Sequence, residues 1–132
     1  MTTETMLKTH PSAGANTADL AAVIDDVLAC MQACLSCADA CLHEDMVADL
    51  RQCIRTDQDC ADICEATLRV LSRQGSTDTN ILASLLSACV AACAACAAEC
   101  ESHSDMHEHC RACAEACRRC ESSCRRMLED LG

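Results

Sequence analysis

Cysteines at helical spacing fill the second half of this chain and constrain what it can fold into. Residues 89–124 contain nine of the sixteen cysteines, separated mostly by alternating steps of three and four residues. An α-helix turns by about 100° per residue, so cysteines in the pattern C-x3-C-x2-C-x3-C fall within roughly 60° of arc. The five cysteines of the following segment fall within roughly 80° by the same count. Each segment therefore predicts a helix with one stripe of thiols along a single face.

The first half of the chain repeats this arrangement. Residues 30–41 have the same C-x3-C-x2-C-x3-C spacing, and three further cysteines follow on a second segment. The sixteen cysteines of the four stripes are the candidate metal ligands: Cys30, Cys34, Cys37, Cys41, Cys53, Cys60, Cys64, Cys89, Cys93, Cys96, Cys100, Cys110, Cys113, Cys117, Cys120 and Cys124. Asp57 stands where a cysteine would complete the stripe of the second segment. A lone carboxylate in a core is costly unless it is bonded. Asp57 is therefore either a further metal ligand or a hydrogen-bonding partner of helix ends or thiols.

Four amphipathic segments with short connections predict an all-α fold, an antiparallel up-down-up-down four-helix bundle with a cysteine-lined core. The predicted helices span about 18–43, 46–74, 80–102 and 106–131, within one domain of residues 17–132. Residues 1–16 are polar and contain Pro11, the one proline of the chain. They predict a flexible N-terminal tail.

The antiparallel layout separates two ends of the bundle. One end receives aliphatic residues from all four helices and is expected to be a closed apolar plug. The other end receives four of the five histidines and two of the six methionines. His107 and His109 precede Cys110 directly and join the candidate ligands. We call this end of the bundle the mouth. Its further candidate metal ligands are His103, His43, Met46 and Met106, and for each of them the alternative is a solvated side chain or one that covers the mouth.

Composition excludes several classes of partner. The net charge of -11 and the absence of Phe, Tyr and Trp argue against nucleic acid and against an anionic membrane surface. No run of 18 consecutive apolar residues occurs, so no segment is expected to span a membrane. The first eighteen residues lack the features of an export signal, which predicts a cytoplasmic protein with reduced thiols. A disulfide scaffold is disfavoured because a reducing cytoplasm keeps thiols free. Cysteines three or four residues apart on one helix also fit disulfide geometry poorly.

Thiols on all four inward faces indicate a soft metal ion as the ligand. Thiolates select Cu(I), Zn(II) or iron-sulfur clusters. Cu(I) accepts two or three thiolates and can be placed along the helices at on the order of one ion per cysteine if sulfurs are shared. Zinc needs four ligands for each ion, and iron-sulfur clusters use compact runs of cysteine. A zinc or mixed-metal thiolate buffer stays open as the alternative, as does a thiol redox protein, which needs an exposed cysteine of low pKa.

The empty core is expected to keep its thiols protonated. Two thiolates 6 Å apart repel by about 2 to 3 kcal/mol at an effective dielectric constant near 20. We therefore expect the chain to fold without metal and to release about one proton for each thiol that binds metal.

The pattern resembles the cytosolic bacterial copper storage proteins. The resemblance rests on the four cysteine stripes, on CIRTDQDCADIC at residues 53–64 and on HEHCRACAEAC at residues 107–117. It implies reversible storage of many Cu(I) ions per chain, assembly into a homotetramer and no catalytic turnover. Copper ions are the implied partners, with a copper chaperone as a further one. The tail before Thr17 is not explained by the resemblance.

Overall fold

The four cysteine stripes lie on four long helices in a computed structural model, which describes residues 2–132. The helices are α1 (Thr2–Lys8), α2 (Thr17–Leu42), α3 (Arg51–Leu71), α4 (Thr79–Glu101) and α5 (Glu108–Leu131). Both α2 and α4 pack against α3 and α5, so the long helices surround one axis. The predicted all-α four-helix bundle with a cysteine-lined core is confirmed.

The helix boundaries differ from the predicted ones mainly in the first connection. The predicted helix 46–74 is divided into a 3-10 turn (Val47–Leu50) and α3, which ends at Leu71. Beyond α3, Gly75 and Ser76 both have positive φ values, of 75° and 52°, and turn the chain toward α4. Asp78 then caps α4 by accepting hydrogen bonds from the backbone N–H groups of Asn80 and Ile81.

The N-terminal segment differs from the flexible tail predicted for residues 1–16. Thr2–Lys8 form α1, which packs against α2, and Leu7 is 4% exposed within the core. The Gln74 side chain donates a hydrogen bond to the Leu7 carbonyl at 3.0 Å. A helix of this length is only marginally stable in isolation, so α1 depends on its packing against the bundle. The local sequence does not reveal that packing. Met1 lies outside the described residues.

The end of the bundle opposite the histidines is closed by aliphatic side chains, as predicted. Its buried members come from three of the long helices: Ile24, Val27, Leu71, Leu82 and Leu86. The expected members from α5 are less enclosed, since Met127 and Leu128 are half-buried and Leu131 is 36% exposed. Leu7 covers part of this end, which gives the plug a fifth contributor.

Two helices have a high mean hydropathy, although neither contains the run of 18 consecutive apolar residues on which the prediction of no membrane-spanning segment was based. By length and composition, α2 and α4 could each cross a membrane, with mean hydropathies of 1.6 and 2.2. Aspartates, Gln32 and Ser36 interrupt the apolar runs of α2, and Ser84 and Ser87 interrupt those of α4. The core helices of a water-exposed bundle meet the same criteria. Here both helices turn their cysteines inward onto α3 and α5, which carry many charged residues on their outer faces.

The aliphatic plug should stabilise the bundle independently of metal. Replacing the fully buried Leu86 by alanine leaves a cavity, and we expect the free energy of unfolding to fall by about 2 to 5 kcal/mol. Urea denaturation of the reduced, metal-free chain measures this change. Ile81→Ala is the matched control because Ile81 lies on the same helix and is 60% exposed. Equal losses in both variants, or an unfolded wild-type chain without metal, would contradict a core that forms on its own.

Candidate metal centre

All sixteen cysteines converge on the axis of the bundle. Each is a free thiol, and each side chain is between 0% and 1% exposed. The alternating steps of three and four place one cysteine on the inner face at every turn of a helix. The predicted inward convergence is therefore present for every member of the four stripes.

Thiols from different helices contact one another directly. Cys30 of α2 lies 3.8 Å from Cys60 of α3, 3.8 Å from Cys93 of α4 and 3.6 Å from Cys117 of α5, measured between Sγ atoms. One cross-section of the bundle thus contains sulfur from all four helices. Side chains as small as cysteine allow the four backbones to approach closely enough for these contacts.

The sulfur contacts continue along the axis in both directions. Toward the plug, Cys124 lies 3.8 Å from Cys89. Toward the mouth, Cys34 lies 3.8 Å from Cys96, and Cys53 lies 3.6 Å from Cys100. Neighbouring layers are connected along the helices as well, for example at 3.9 Å between Cys60 and Cys64. The thiols therefore form a continuous array rather than separate clusters.

Several sets of four ligand atoms lie within 4.8 Å of one another, close enough to share a metal ion. These sets include Cys30/Cys64/Cys93/Cys120, Cys30/Cys34/Cys60/Cys117, Cys34/Cys96/Cys113/Cys117, Cys37/Cys41/His109/Cys110 and Cys37/Cys41/Cys53/Asp57. Five cysteines each belong to two of these sets: Cys30, Cys34, Cys37, Cys41 and Cys117. Because the sets overlap, metal ions in adjacent sets would have to share thiolates.

Burial and proximity oppose ionisation of the empty thiol array. Burial raises the pKa of Cys41 and of Cys110, with nearby cysteines adding to the effect. Two thiolates at the separations seen here, 3.6 to 4.0 Å between many sulfur pairs, would repel by about 4 kcal/mol at an effective dielectric constant of 20. We infer that the array is predominantly protonated without metal, so a bound cation must displace protons.

Asp57 is buried in the array with 0% exposure, and hydrogen bonds with thiols account for one of its oxygens. Its Oδ1 accepts from Cys96 at 3.0 Å, from Cys113 at 3.4 Å and from Cys100 at 3.7 Å. The hydrogen bonding to thiols expected for this residue is confirmed. Oδ2 is buried without a partner. Burial, followed by the nearby Cys113, raises the Asp57 pKa well above its usual range, so the group is neutral at pH 7.

Among the predicted mouth residues, His109 reaches the thiols. Its Nδ1 lies 3.4 Å from the Cys37 Sγ and 3.6 Å from the Cys110 Sγ. Its Nε2 lies 2.8 Å from Oε2 of Glu44, which is also 3.1 Å from the Nδ1 of His107. Burial lowers the His109 pKa, but the bonds with Cys37 and Glu44 outweigh burial and leave the pKa above its usual value.

The other predicted mouth residues lie further from the thiol array. His107 is 6% exposed, stacks on the His109 ring at 5.4 Å between centroids, and has an unpartnered buried Nε2. His103 contacts Glu99 at 3.3 Å. The His43 side chain is 78% exposed and pairs with the backbone carbonyl of Asp39. Met46 and Met106 are 40% and 61% exposed. The structure therefore brings His107 and His109 together, and leaves His103 half-buried and the remaining three at the surface of the mouth.

Glu44 is the residue that the sequence reasoning missed. The sequence predicts a solvated acidic rim at the mouth from four residues of the second half of the chain: Glu99, Glu101, Asp105 and Glu108. Glu44 lies three residues after Cys41, in the connection between α2 and α3. Its position beside the predicted mouth was the one signal in the sequence. The pairing of Glu44 with His107 and His109 across the bundle cannot be predicted from local spacing.

Comparison with known proteins agrees with this geometry. The family model described as "Copper storage protein" matches residues 16–129. An uncharacterized cysteine-rich protein of Bacillus subtilis (strain 168), YhjQ, is 39% identical over 95 residues, which cover 72% of this chain and 82% of the relative.

Solved structures of copper storage proteins are also similar to this chain. The copper storage protein Ccsp from Streptomyces lividans, loaded with 10 copper equivalents, is 51% identical, with a TM-score of 0.92 over 96% of this chain and 98% of the other. The Cu(I)-bound copper storage protein BsCsp3 is 38% identical, with a TM-score of 0.71 over 81% of this chain and 95% of the other.

The buried carboxyl of Asp57 should give the metal-free protein a distinct pH dependence. Its pKa is higher in the folded chain than in the unfolded chain, so its stabilising contribution is complete below about pH 4 and declines as the pH rises. We expect the free energy of unfolding of the wild type, relative to Asp57→Asn, to fall by up to about 1.4 kcal/mol per pH unit between about pH 4 and 7.

Denaturation of the reduced chains at several pH values measures this difference. Asp62→Asn, at an exposed position of the same helix, is the control and should follow the wild type. A constant difference between the wild type and Asp57→Asn across this range would show that the carboxyl is not held protonated by burial.

Proposed function

This chain belongs to the copper storage protein family, and we propose that it stores many Cu(I) ions in its thiol array. The observation that carries the proposal is the continuity of the array. Sulfur atoms from all four helices contact one another at 3.6 to 4.0 Å, and each thiol is buried. A continuous set of soft donors, sealed from solvent, suits a soft cation that must be held and later returned.

Shared thiolates favour Cu(I) over zinc. A tetrahedral zinc site with Zn–S bonds near 2.3 Å uses four thiolates for itself. The sets of four overlap here, so occupation of one set by zinc removes sulfur from the next. Cu(I) accepts two or three thiolates, and a sulfur can bridge two ions, so adjacent positions can be filled together. The array is therefore better matched to polynuclear Cu(I) than to isolated zinc ions.

The proposed ligands are the sixteen cysteines and His109. The set of Cys37, Cys41, His109 and Cys110 lies at the mouth, where His109 is 26% exposed and the cysteines are buried. We place metal entry and exit here. Each inner set shares thiols with its neighbours, so an ion can move inward by exchanging one sulfur at a time.

The remaining candidates have lesser roles in this proposal. Asp57 offers its unpartnered Oδ2 to an ion in the set with Cys37, Cys41 and Cys53. His107 supports His109 by stacking. His103, His43, Met46 and Met106 lie at or near the surface of the mouth, where they can contact an arriving ion before it reaches the cysteines.

We propose storage without catalytic turnover. A thiol redox enzyme attacks its substrate with an accessible thiolate of low pKa. Every cysteine in this chain is at most 1% exposed. The displaced protons, about one for each thiol engaged, leave as the metal enters, and the exchange is reversed when an acceptor removes copper.

The setting and the assembly belong to the same proposal. A cytoplasmic location agrees with sixteen free thiols, since reducing conditions keep them available for metal. A homotetramer is supported by large apolar side chains on the outer face of α2, where Leu35 and Leu42 are 56% and 55% exposed. A copper chaperone that donates or accepts Cu(I) would meet the chain at the mouth described above.

Anaerobic titration tests the storage proposal. The reduced chain is titrated with Cu(I) against a competing Cu(I) chelator, and the bound copper is measured by elemental analysis. We expect a plateau on the order of one ion per cysteine, because each sulfur can bridge two ions. Saturation at one or two ions would contradict storage. Displacement of the bound copper by an equal amount of zinc would favour the thiolate-buffer alternative.

Shared ligation predicts unequal effects for individual cysteines. Cys30 contacts thiols on three other helices and belongs to two sets of four, whereas Cys124 contacts Cys89 and Cys120 at one end of the array. We expect Cys30→Ser to lower the plateau by about two ions and Cys124→Ser by about one, since serine is a poor ligand for Cu(I). The same chelator competition measures both variants. Equal losses would contradict sharing of the central thiols.

A further inference from the structure

We propose that Glu44 is the positioning residue of the mouth, which holds His109 with its Nδ1 directed at the thiols as a ligand for Cu(I). This inference deepens the proposed function and rests on it. Oε2 of Glu44 lies 2.8 Å from the Nε2 of His109, and the opposite nitrogen of the same ring lies 3.4 Å from the Cys37 Sγ. The carboxylate of Glu44 and the thiol of Cys37 thus contact the two different nitrogens of one imidazole ring.

This geometry selects a tautomer. A carboxylate only accepts hydrogen bonds, so the nitrogen that faces Glu44 must carry the hydrogen. In the neutral ring the other nitrogen, Nδ1, then holds the lone pair. That lone pair points to the space shared with Cys37 and Cys110, where it can accept from a thiol or bind a metal ion. Without Glu44 the hydrogen could move to Nδ1 and block this position.

The same carboxylate also fixes the orientation of the ring. Glu44 belongs to the connection between α2 and α3, while His107 and His109 belong to the start of α5. Oε2 contacts both rings, at 3.1 Å for the Nδ1 of His107 and 2.8 Å for the Nε2 of His109. His107 is the N-cap residue of α5 yet makes no side-chain cap bond, because its ring turns to Glu44. One side chain therefore joins two connections across the mouth.

Two other carboxylates near the mouth are directed to other histidines. Glu99 lies 3.3 Å from the Nε2 of His103, four residues further along the chain. Asp39 lies on the exposed side of α2, beside His43. Glu44 is 33% exposed and reaches inward from its connection to His109. Metal-binding histidines commonly donate their second N–H to a carboxylate, and loss of that partner costs 10- to 100-fold in metal affinity.

The test compares Glu44→Ala with Glu44→Gln by two measurements. The first is the tautomer of His109 in the metal-free chain, read from the 15N shifts of its ring nitrogens. The second is chelator competition for Cu(I). We expect Glu44→Ala to move hydrogen onto Nδ1 and to weaken the binding of about one ion by 10- to 100-fold, with an unchanged plateau. Glu44→Gln should keep the tautomer and most of the affinity, because its amide oxygen still accepts from Nε2.

Two further comparisons separate positioning from a general structural effect. Glu99→Ala removes the partner of His103 and should leave the His109 tautomer and its copper affinity unchanged. In a His109→Ala background, Glu44→Ala should have no additional effect on copper affinity. An unchanged His109 tautomer in Glu44→Ala, or an equal affinity loss with and without His109, would overturn the assignment. A wild-type chain that binds only one or two Cu(I) ions would instead overturn the storage proposal, while the tautomer measurement would still test Glu44.

Discussion

Contact between thiols on four different helices is the constraint on which the rest of this structure depends. Sulfur atoms 3.6 to 4.0 Å apart require the four backbones to approach more closely than leucine-sized side chains would permit. The cysteine layers cannot therefore supply as much buried apolar volume as an ordinary core. The aliphatic end, with Val27 and Leu86 fully buried, compensates for this, so one end of the bundle stabilises it and the other binds ions.

Periodicity was sufficient to predict the fold, because the period of the cysteines is that of the helix. Short connections then allowed only antiparallel neighbours, and the four long helices follow. What periodicity could not predict is docking between distant segments. Leu7 is one buried side chain on a seven-residue helix, and Leu50 is fully buried within a 3-10 turn. Neither lies in a repeating pattern, so local sequence carries little information about their burial.

The metal site also combines features that periodicity predicts with features that it does not. Every cysteine was predicted to face inward, and every one does. The histidines were predicted only as a group at one end, because residues at helix ends and in connections have no fixed face. Which of them reaches the thiols depends on Glu44, which lies 65 residues from His109 along the chain and contacts it directly. Pairing at that sequence separation follows from the assembled bundle and not from spacing.

Charge conservation explains why a monovalent ion suits this interior. Without metal most of the thiols are inferred to be protonated, and burial holds Asp57 in its neutral form, so the buried array carries little charge. When the array is filled with one Cu(I) for each thiolate, every proton that leaves is matched by one positive charge, so the buried charge is unchanged. A zinc ion with four thiolates would instead leave a net charge of about −2 in each buried set, at a desolvation cost that grows with every site. This protein already carries a net charge of -11, so further negative charge in the core would increase its self-repulsion. An array of sixteen buried thiols can therefore fill with a monovalent soft cation but would resist filling with a divalent one.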